Sequence, residues 1–271
     1  GRVLSLKSDP EIFSRIEAGR IAVLAQTDLL HREFGRAPSN WKSDGTRVTP
    51  VDIAISEKIF AALEAKFSSD QFFSEELMPN GAPMAVTAHY CWVLDPIDGT
   101  NNFATGIPHC AIGLALLQDG VPIYGFVYDF GRRSLIHGGP GFGVRDGDQF
   151  VQLKGRALDR QSVVGFHSPY DSHYAVHAAT LADNFKLRAL GTSTIHMAYV
   201  GIGLFDGMVD HNIRVWDIAA AVPLVLASGR VVDYITKSPF PLREFDLQMD
   251  RIFLVAGDPA TTSELHRLLG V

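Results

Sequence analysis

The apolar run Cys91-Trp92-Val93-Leu94 passes directly into Asp95-Pro96-Ile97-Asp98-Gly99-Thr100. A buried strand that delivers two acids, three residues apart, restricts the fold more than any other feature of this chain. Pro96 fixes the turn between the acids, so both carboxylates can converge on one cation. Gly99 permits close backbone approach or a positive φ, and Thr100 offers a hydroxyl and an amide. A helix or turn starting there points free N–H groups at an anion beside the cation. A hard cation next to a phosphate cradle is what Mg2+-dependent phosphoryl chemistry requires. Asp, Pro and Gly are also ordinary turn formers, but a turn alone does not need the whole string.

The surrounding pattern says what kind of fold carries this strand. Asp9-Pro10 opens a helical pattern that closes at Gly35, with Ile12, Ile16, Val23, Leu30 and Phe34 on one face. After the polar loop 41–46, Thr49-Pro50 starts a second helix with apolar residues at Val51, Ile55, Ile59 and Leu63. Strands are expected at 89–94, 111–117, 123–130 and 134–137, with hairpin turns at Gln118-Asp119-Gly120 and Arg145-Asp146-Gly147-Asp148. This predicts an antiparallel-rich α+β first half, residues 1–154. Beyond Lys154 the texture alternates. Strands at 163–166, 185–190, 207–211 and 252–256 interleave with helices at 174–181, 192–203, 216–227 and 262–269, which predicts an α/β second half, residues 155–271. No flexible linker separates the halves.

Composition excludes several function classes. Lys and Arg number 24 against 30 Asp and Glu, a net charge of −6 with no basic run, which argues against nucleic-acid binding through phosphates. No apolar stretch reaches 18 residues, so no transmembrane helix is expected. Gly1-Arg2-Val3-Leu4-Ser5 lacks the apolar core of a signal peptide. Cys91 and Cys110 lie in apolar strands and read as reduced core thiols of a cytoplasmic protein.

Other acids fall at element ends. Ser74-Glu75-Glu76 follows the strand-like Gln71-Phe72-Phe73, and Trp216-Asp217 opens an apolar helix. Asp52 lies three residues after Thr49, the spacing of a capping box. Each has a plain explanation as a turn, a dipole partner or a cap. Together with the central string they suggest one shared site.

On these residues the chain resembles the inositol monophosphatase family, within the Mg2+-dependent, lithium-sensitive phosphatase superfamily. The likeness runs through residues 42–49 with Asp52, Ser74-Glu75-Glu76, residues 92–103, Gly191-Thr192-Ser193 and residues 216–220. It implies a layered αβαβα sandwich. It also implies Glu75, Asp95 and the Ile97 carbonyl as ligands of a first Mg2+, and Asp95, Asp98 and Asp217 as ligands of a second. A weaker third ion is implied near Glu75. The Gly99 and Thr100 amides would hold phosphate, with Lys42 adding positive charge. A water deprotonated with help from Glu75, or from Thr100 paired with Asp52, would attack phosphorus in line without a covalent phosphoenzyme. Asp98, Gly191, Ser193, Asp210 and Asp217 would face the substrate.

Asp210 stands where inositol-preferring relatives carry Glu, one methylene longer. The implied function is phosphomonoester hydrolysis of a small polyol or sugar phosphate by a homodimer, with inositol 1-phosphate preferred. Fructose 1,6-bisphosphate, histidinol phosphate and a 3′-phosphoadenosine nucleotide are the alternatives, the last disfavoured because no base pocket is visible. A regulatory binding protein that kept the fold is the contrasting class. The family's usual Glu-Ala-Gly-Gly is replaced here by Ala227-Ser228-Gly229-Arg230, and Pro223 falls inside the expected helix. Two weaker features remain. His173 and His177 have the i, i+4 spacing of a metal pair but no third ligand nearby, so a surface pair is expected. Gly138-Gly139-Pro140-Gly141 lacks the Lys-Ser/Thr ending of a nucleotide loop and reads as a turn.

Overall fold

Asp9 accepts the Glu11 N–H and caps helix α1 (Pro10–Leu24). The expected single helix to Gly35 is in fact two. Gln26 and Thr27 donate their side chains to the carbonyls of Ala22 and Leu24, which ends α1, and α2 (Thr27–Glu33) restarts beyond them. The polar loop after it is a small ribbon, β1 (Asn40–Trp41) and β2 (Arg47–Val48). Helix α3 (Pro50–Glu64) begins at a Thr49–Asp52 capping box. The computed structural model describes residues 9–78 and 81–271; the opening Gly1–Ser5 stretch lies outside them.

The first half continues with β3 (Gln71–Ser74), β4 (Met84–Ala85), β5 (Tyr90–Asp98), α4 (Thr100–Thr105), β6 (Ala111–Gln118), β7 (Val121–Asp129), β8 (Ser134–Gly139), β9 (Gly143–Asp146) and β10 (Gln149–Phe150). Seven of these strands form one sheet in the order β10-β9-β8-β7-β6-β5-β3. All neighbours are antiparallel except β3 beside β5. Both expected hairpin turns are present, with Asp119 and Gly120 at positive φ in one and Gly147 in the other. Gly138–Gly141 turns β8 into β9, as expected.

The second half contains β11 (Val163–Phe166), α5 (Ala175–Asn184), β12 (Lys186–Arg188), α6 (Ser193–Ile202) and β13 (Gly207–Ile213). Next come α7 (Val215–Ile218), α8 (Val222–Ala227), β14 (Val231–Tyr234), β15 (Glu244–Phe245), β16 (Ile252–Gly257) and α9 (Pro259–Leu269). Its sheet runs β12-β11-β13-β16-β14, parallel on the β12-β11-β13 side and antiparallel on the other. The expected helix 216–227 is split into α7 and α8. Pro223 sits in the first turn of α8, where its missing N–H costs nothing. Strand β14 and the β4–β15 pair carry no strong alternation, and the sequence reading did not place them.

Alternation along β5 and β6 fixes the layers. Trp92, Leu94, Ile112, Leu114 and Leu116 face a core shared with α1 and α3. Cys91, Val93, Ala115 and Leu117 face the opposite way, into a core built from α6, α7, α8 and the inner face of the second sheet. That sheet's outer residues, Val164, Phe166, Val209 and Val255, pack on α5 and α9. The layer order is therefore αβαβα, and the middle core joins both halves. Two contacts tighten that middle layer. A Cβ on Gly125 would lie 1.7 Å from the Ala220 carbonyl oxygen, so only glycine lets the α7–α8 link touch β7. Arg230 is buried, and its Nη1 donates to the carbonyls of Val200 (2.8 Å) and Phe205 (2.9 Å), satisfying the end of α6. Both cysteines are free and buried.

Candidate active site

In a regular strand Asp95 and Asp98 would point to opposite faces. The sheet pairing prevents this. Asp95 opposes Gly113 and Asp98 opposes Ala111, so β5 carries one extra residue between them. That bulge, at the Pro96 that could not donate to the ladder anyway, re-aims Asp98 to the side of Asp95. Asp217, in the first turn of α7, completes the group. Carboxylate oxygens of Asp95, Asp98 and Asp217 all lie within 4.8 Å of one another.

The three acids are held differently. Asp98 Oδ2 accepts the Thr192 hydroxyl and the Thr194 N–H (3.0 Å) at the start of α6. Asp217 Oδ2 accepts the Arg214 N–H (2.8 Å). Asp95 is only 3% exposed, lines the cavity and has the Asp98 carboxyl as its side-chain neighbour. Burial and neighbouring carboxylates push the acids of Asp95 and Asp217 well above the usual range. A buried carboxylate among like charges is the setting that a hard divalent cation relieves. The all-oxygen donor set therefore fits Mg2+.

Beside this group β5 ends at Gly99, in the left-handed region at φ 86°, and α4 starts at Thr100. A Cβ on Gly99 would meet the His109 carbonyl oxygen at 2.8 Å, so both conformation and space require glycine. The Thr100 hydroxyl lies 3.0 Å from Asp52 Oδ1 and 2.8 Å from the Ile97 carbonyl. Asp52 Oδ2 meanwhile accepts the Thr49 N–H and hydroxyl. Asp52 is thus both the helix cap and the partner of Thr100, one oxygen for each. Burial raises its acid to about 6, against the hydrogen bonds from Thr49.

Glu75, in the short turn after β3, lines the same cavity but lies outside the close group of three. Burial raises its acid to about 7, opposed by Lys42. Lys42 Nζ lies 3.6 Å from Glu75 and 2.8 Å from Glu76, so its charge reaches the site by way of Glu75. Burial alone would lower the Lys42 amine, but these carboxylates outweigh it and raise it.

The cavity, about 570 Å³, is closed on its far side by the second sheet. Asp210 is not an exposed strand end; it is 1% exposed and its Oδ2 accepts the Ser193 hydroxyl (2.9 Å) while Oδ1 accepts the Asn212 N–H (2.8 Å). A second bulge, between Asp210 and Ile213, turns this segment to the cavity. Burial raises the acid of Asp210, opposed chiefly by His167. Gly191, at φ 82°, makes room for Asn102, whose Nδ2 ties the 190–191 loop to the end of β5 through the Leu190 carbonyl (2.7 Å).

Sequence reasoning missed Thr194, which orients Asp98, and three arginines on the cavity wall: Arg47, Arg214 and Arg251. Arg214 was readable, three residues before Asp217 at capping distance. Arg251, 34 residues later, had no local signal. His173 and His177 do not share a site as a pair; His177 instead bonds His211 across the fold.

A model described as the inositol monophosphatase family matches residues 10–269. An inositol-1-monophosphatase of Mesorhizobium japonicum is 30% identical over 212 residues, covering 75% of this chain and 79% of that one. A Nus factor SuhB of Pasteurella multocida is 27% identical over 197 residues, covering 70% and 73%. The crystal structure of the extragenic suppressor protein suhB from Bartonella henselae superposes with a TM-score of 0.82 at 22% identity, covering 94% of this chain and 98% of that one, a likeness of fold.

Proposed function

The chain belongs to the inositol monophosphatase family, and we propose that it is a Mg2+-dependent phosphomonoesterase acting on a polyol phosphate, inositol 1-phosphate first. The observation that carries this reading is Asp95, buried beside Asp98 and Asp217 with carboxylate oxygens of all three within 4.8 Å of one another. Bound among these acids, Mg2+ would supply Lewis acidity and neutralise the approaching phosphate. Asp95, Asp98 and Asp217 would hold it, with Glu75 and the Ile97 carbonyl extending the ligand set to a second ion. The Gly99 and Thr100 amides, at the start of α4, orient the phosphate oxygens. Thr100 and Asp52 take the proton of the attacking water, the hydroxyl passing it to a carboxylate whose acid near 6 suits the role. Glu75 is the second base within the same cavity. Asp210 and Ser193 read the leaving group.

Two buried thiols suit a reducing compartment, so a cytoplasmic location is part of the proposal, and the family resemblance adds a homodimer. The test is phosphate release from a panel of inositol 1-phosphate, fructose 1,6-bisphosphate, histidinol phosphate and 4-nitrophenyl phosphate, with and without Mg2+. Mg2+-dependent release, highest for inositol 1-phosphate, supports the reading. A different winner moves the substrate, and release from none of them overturns the enzyme in favour of a binding role.

A further inference from the structure

Behind Asp210 three histidines form one hydrogen-bonded line. His177 on α5 places Nδ1 2.9 Å from His211 Nε2, and His211 Nδ1 lies 2.9 Å from His167 Nε2. The middle ring is buried between Tyr174, stacked at 3.7 Å between centroids, and Phe253 at 4.4 Å. His167, at the end of β11, lines the cavity with Asp210.

The donors along this line are fixed by one backbone group. The His211 N–H donates to His167 Nε2 (3.2 Å), so that nitrogen is an acceptor and the His167 proton resides on Nδ1. His211 Nδ1 faces the same acceptor, so it shares that lone pair with the backbone N–H, and His211 Nε2 receives from His177 Nδ1, whose ring also lies against the Leu269 carbonyl. Burial lowers the His211 imidazole to about 3, so the ring in the middle stays neutral and the direction of the line is preserved. His167 Nδ1 has no hydrogen-bond partner among the described residues. The nearest carboxylate, Asp210 Oδ1, is 3.9 Å from the other ring nitrogen.

We propose that His167 contacts the substrate through its Nδ1–H, which the His177–His211 line holds in place as a donor. With Asp210 as acceptor it forms a donor–acceptor pair that reads a hydroxyl of the leaving group, since a hydroxyl both gives and accepts. His211 and His177 are positioning residues. The inference rests on the polyol reading above and adds the residue that discriminates by hydroxyl.

Two substitutions separate the ring atoms. In His167→Asn the amide nitrogen takes the place of Nδ1 and keeps the donor; in His167→Gln it takes the place of Nε2 and loses it. The KM ratio of inositol 1-phosphate to 4-nitrophenyl phosphate should rise roughly 3- to 10-fold in the Gln variant, the worth of one neutral hydrogen bond, and stay near wild type in the Asn variant. His177→Leu should raise the same ratio, and His177→Asn, which restores a donor to His211, should rescue it. Independently of turnover, long-range 1H–15N spectra of the full chain should show His167 protonated at Nδ1, with that signal moving when inositol 1-phosphate is added. His167 protonated at Nε2, or equal KM ratios in the Asn and Gln variants, overturns the inference. If wild-type protein hydrolyses neither ester, the phosphatase reading fails separately, and an Nδ1–H signal that inositol 1-phosphate leaves unmoved then overturns this inference as well.

Discussion

The two sheets meet at one cavity but contribute unlike things to it. The seven-stranded sheet supplies charge: Asp95 and Asp98 from one bulged strand, with Asp52, in the first turn of α3, accepting the Thr100 hydroxyl. The five-stranded sheet supplies recognition: Asp210 from a second bulged strand, supported by Ser193, Asn212 and the histidine line. In the first region buried carboxylates crowd within 4.8 Å of one another. In the second a single carboxylate, Asp210, has a donor on each oxygen. Crowded like charges need a cation, whereas a single satisfied acid is built for shape and hydroxyl geometry. If that division is right, substitutions in the first region lower turnover on every ester, and those in the second change the preference among esters.

The largest effect is expected at the centre of the charged region. Asp95→Asn should cut turnover by on the order of 100- to 1000-fold on all esters. Near-normal Mg2+-dependent activity in that variant would break the comparison at its root. Next come Thr100→Ala and Asp52→Asn, which should lower kcat more than they raise KM. The double variant should be little worse than either single one, since the 3.0 Å pair acts as a unit. Fully multiplicative losses would leave Asp52 as a helix cap alone.

In the recognition region, Asp210→Asn keeps the size and removes the charge. It should weaken inositol 1-phosphate by about 1.5–3 kcal/mol relative to 4-nitrophenyl phosphate. Equal losses would move Asp210 into the supporting structure.

The smallest expected effect is on stability. Glu75 is raised to about 7 in the fold against 4.5 as an ordinary side chain. The folded state therefore holds the extra proton between these values, and metal-free stability falls as pH rises from about 4.5 to about 7. Glu75→Gln removes that loss. Metal-free, it should melt higher than wild type at pH 8, by on the order of 1–3 kcal/mol, and differ little at pH 4.5. A difference independent of pH would show that Glu75 acts through packing or through Lys42.

The same division explains what the sequence revealed. The charged region is written in contiguous strings, because a strand end, a bulge and a helix start need Asp95, Pro96, Asp98, Gly99 and Thr100 side by side. The gathering of Asp95, Asp98 and Asp217 and the αβαβα layering were legible from them and from the family they resemble. The recognition region is assembled across the chain. His167, His177 and His211 come from three elements, and no periodicity links them. Arg251 arrives from the strand-poor segment before β16, where the pattern is weak. Breaks such as Ala25-Gln26 depend on side-chain bonds to helix carbonyls that leave no apolar signature.

The central claim is that Asp95, Asp98 and Asp217 bind the cation that hydrolysis requires. Calorimetric titration of metal-free protein with Mg2+, wild type beside Asp95→Asn, tests it most directly. Saturable binding by wild type, lost or weakened at least about tenfold in a folded Asp95→Asn variant, is the predicted result. Binding of equal strength in both, or in neither, would contradict it.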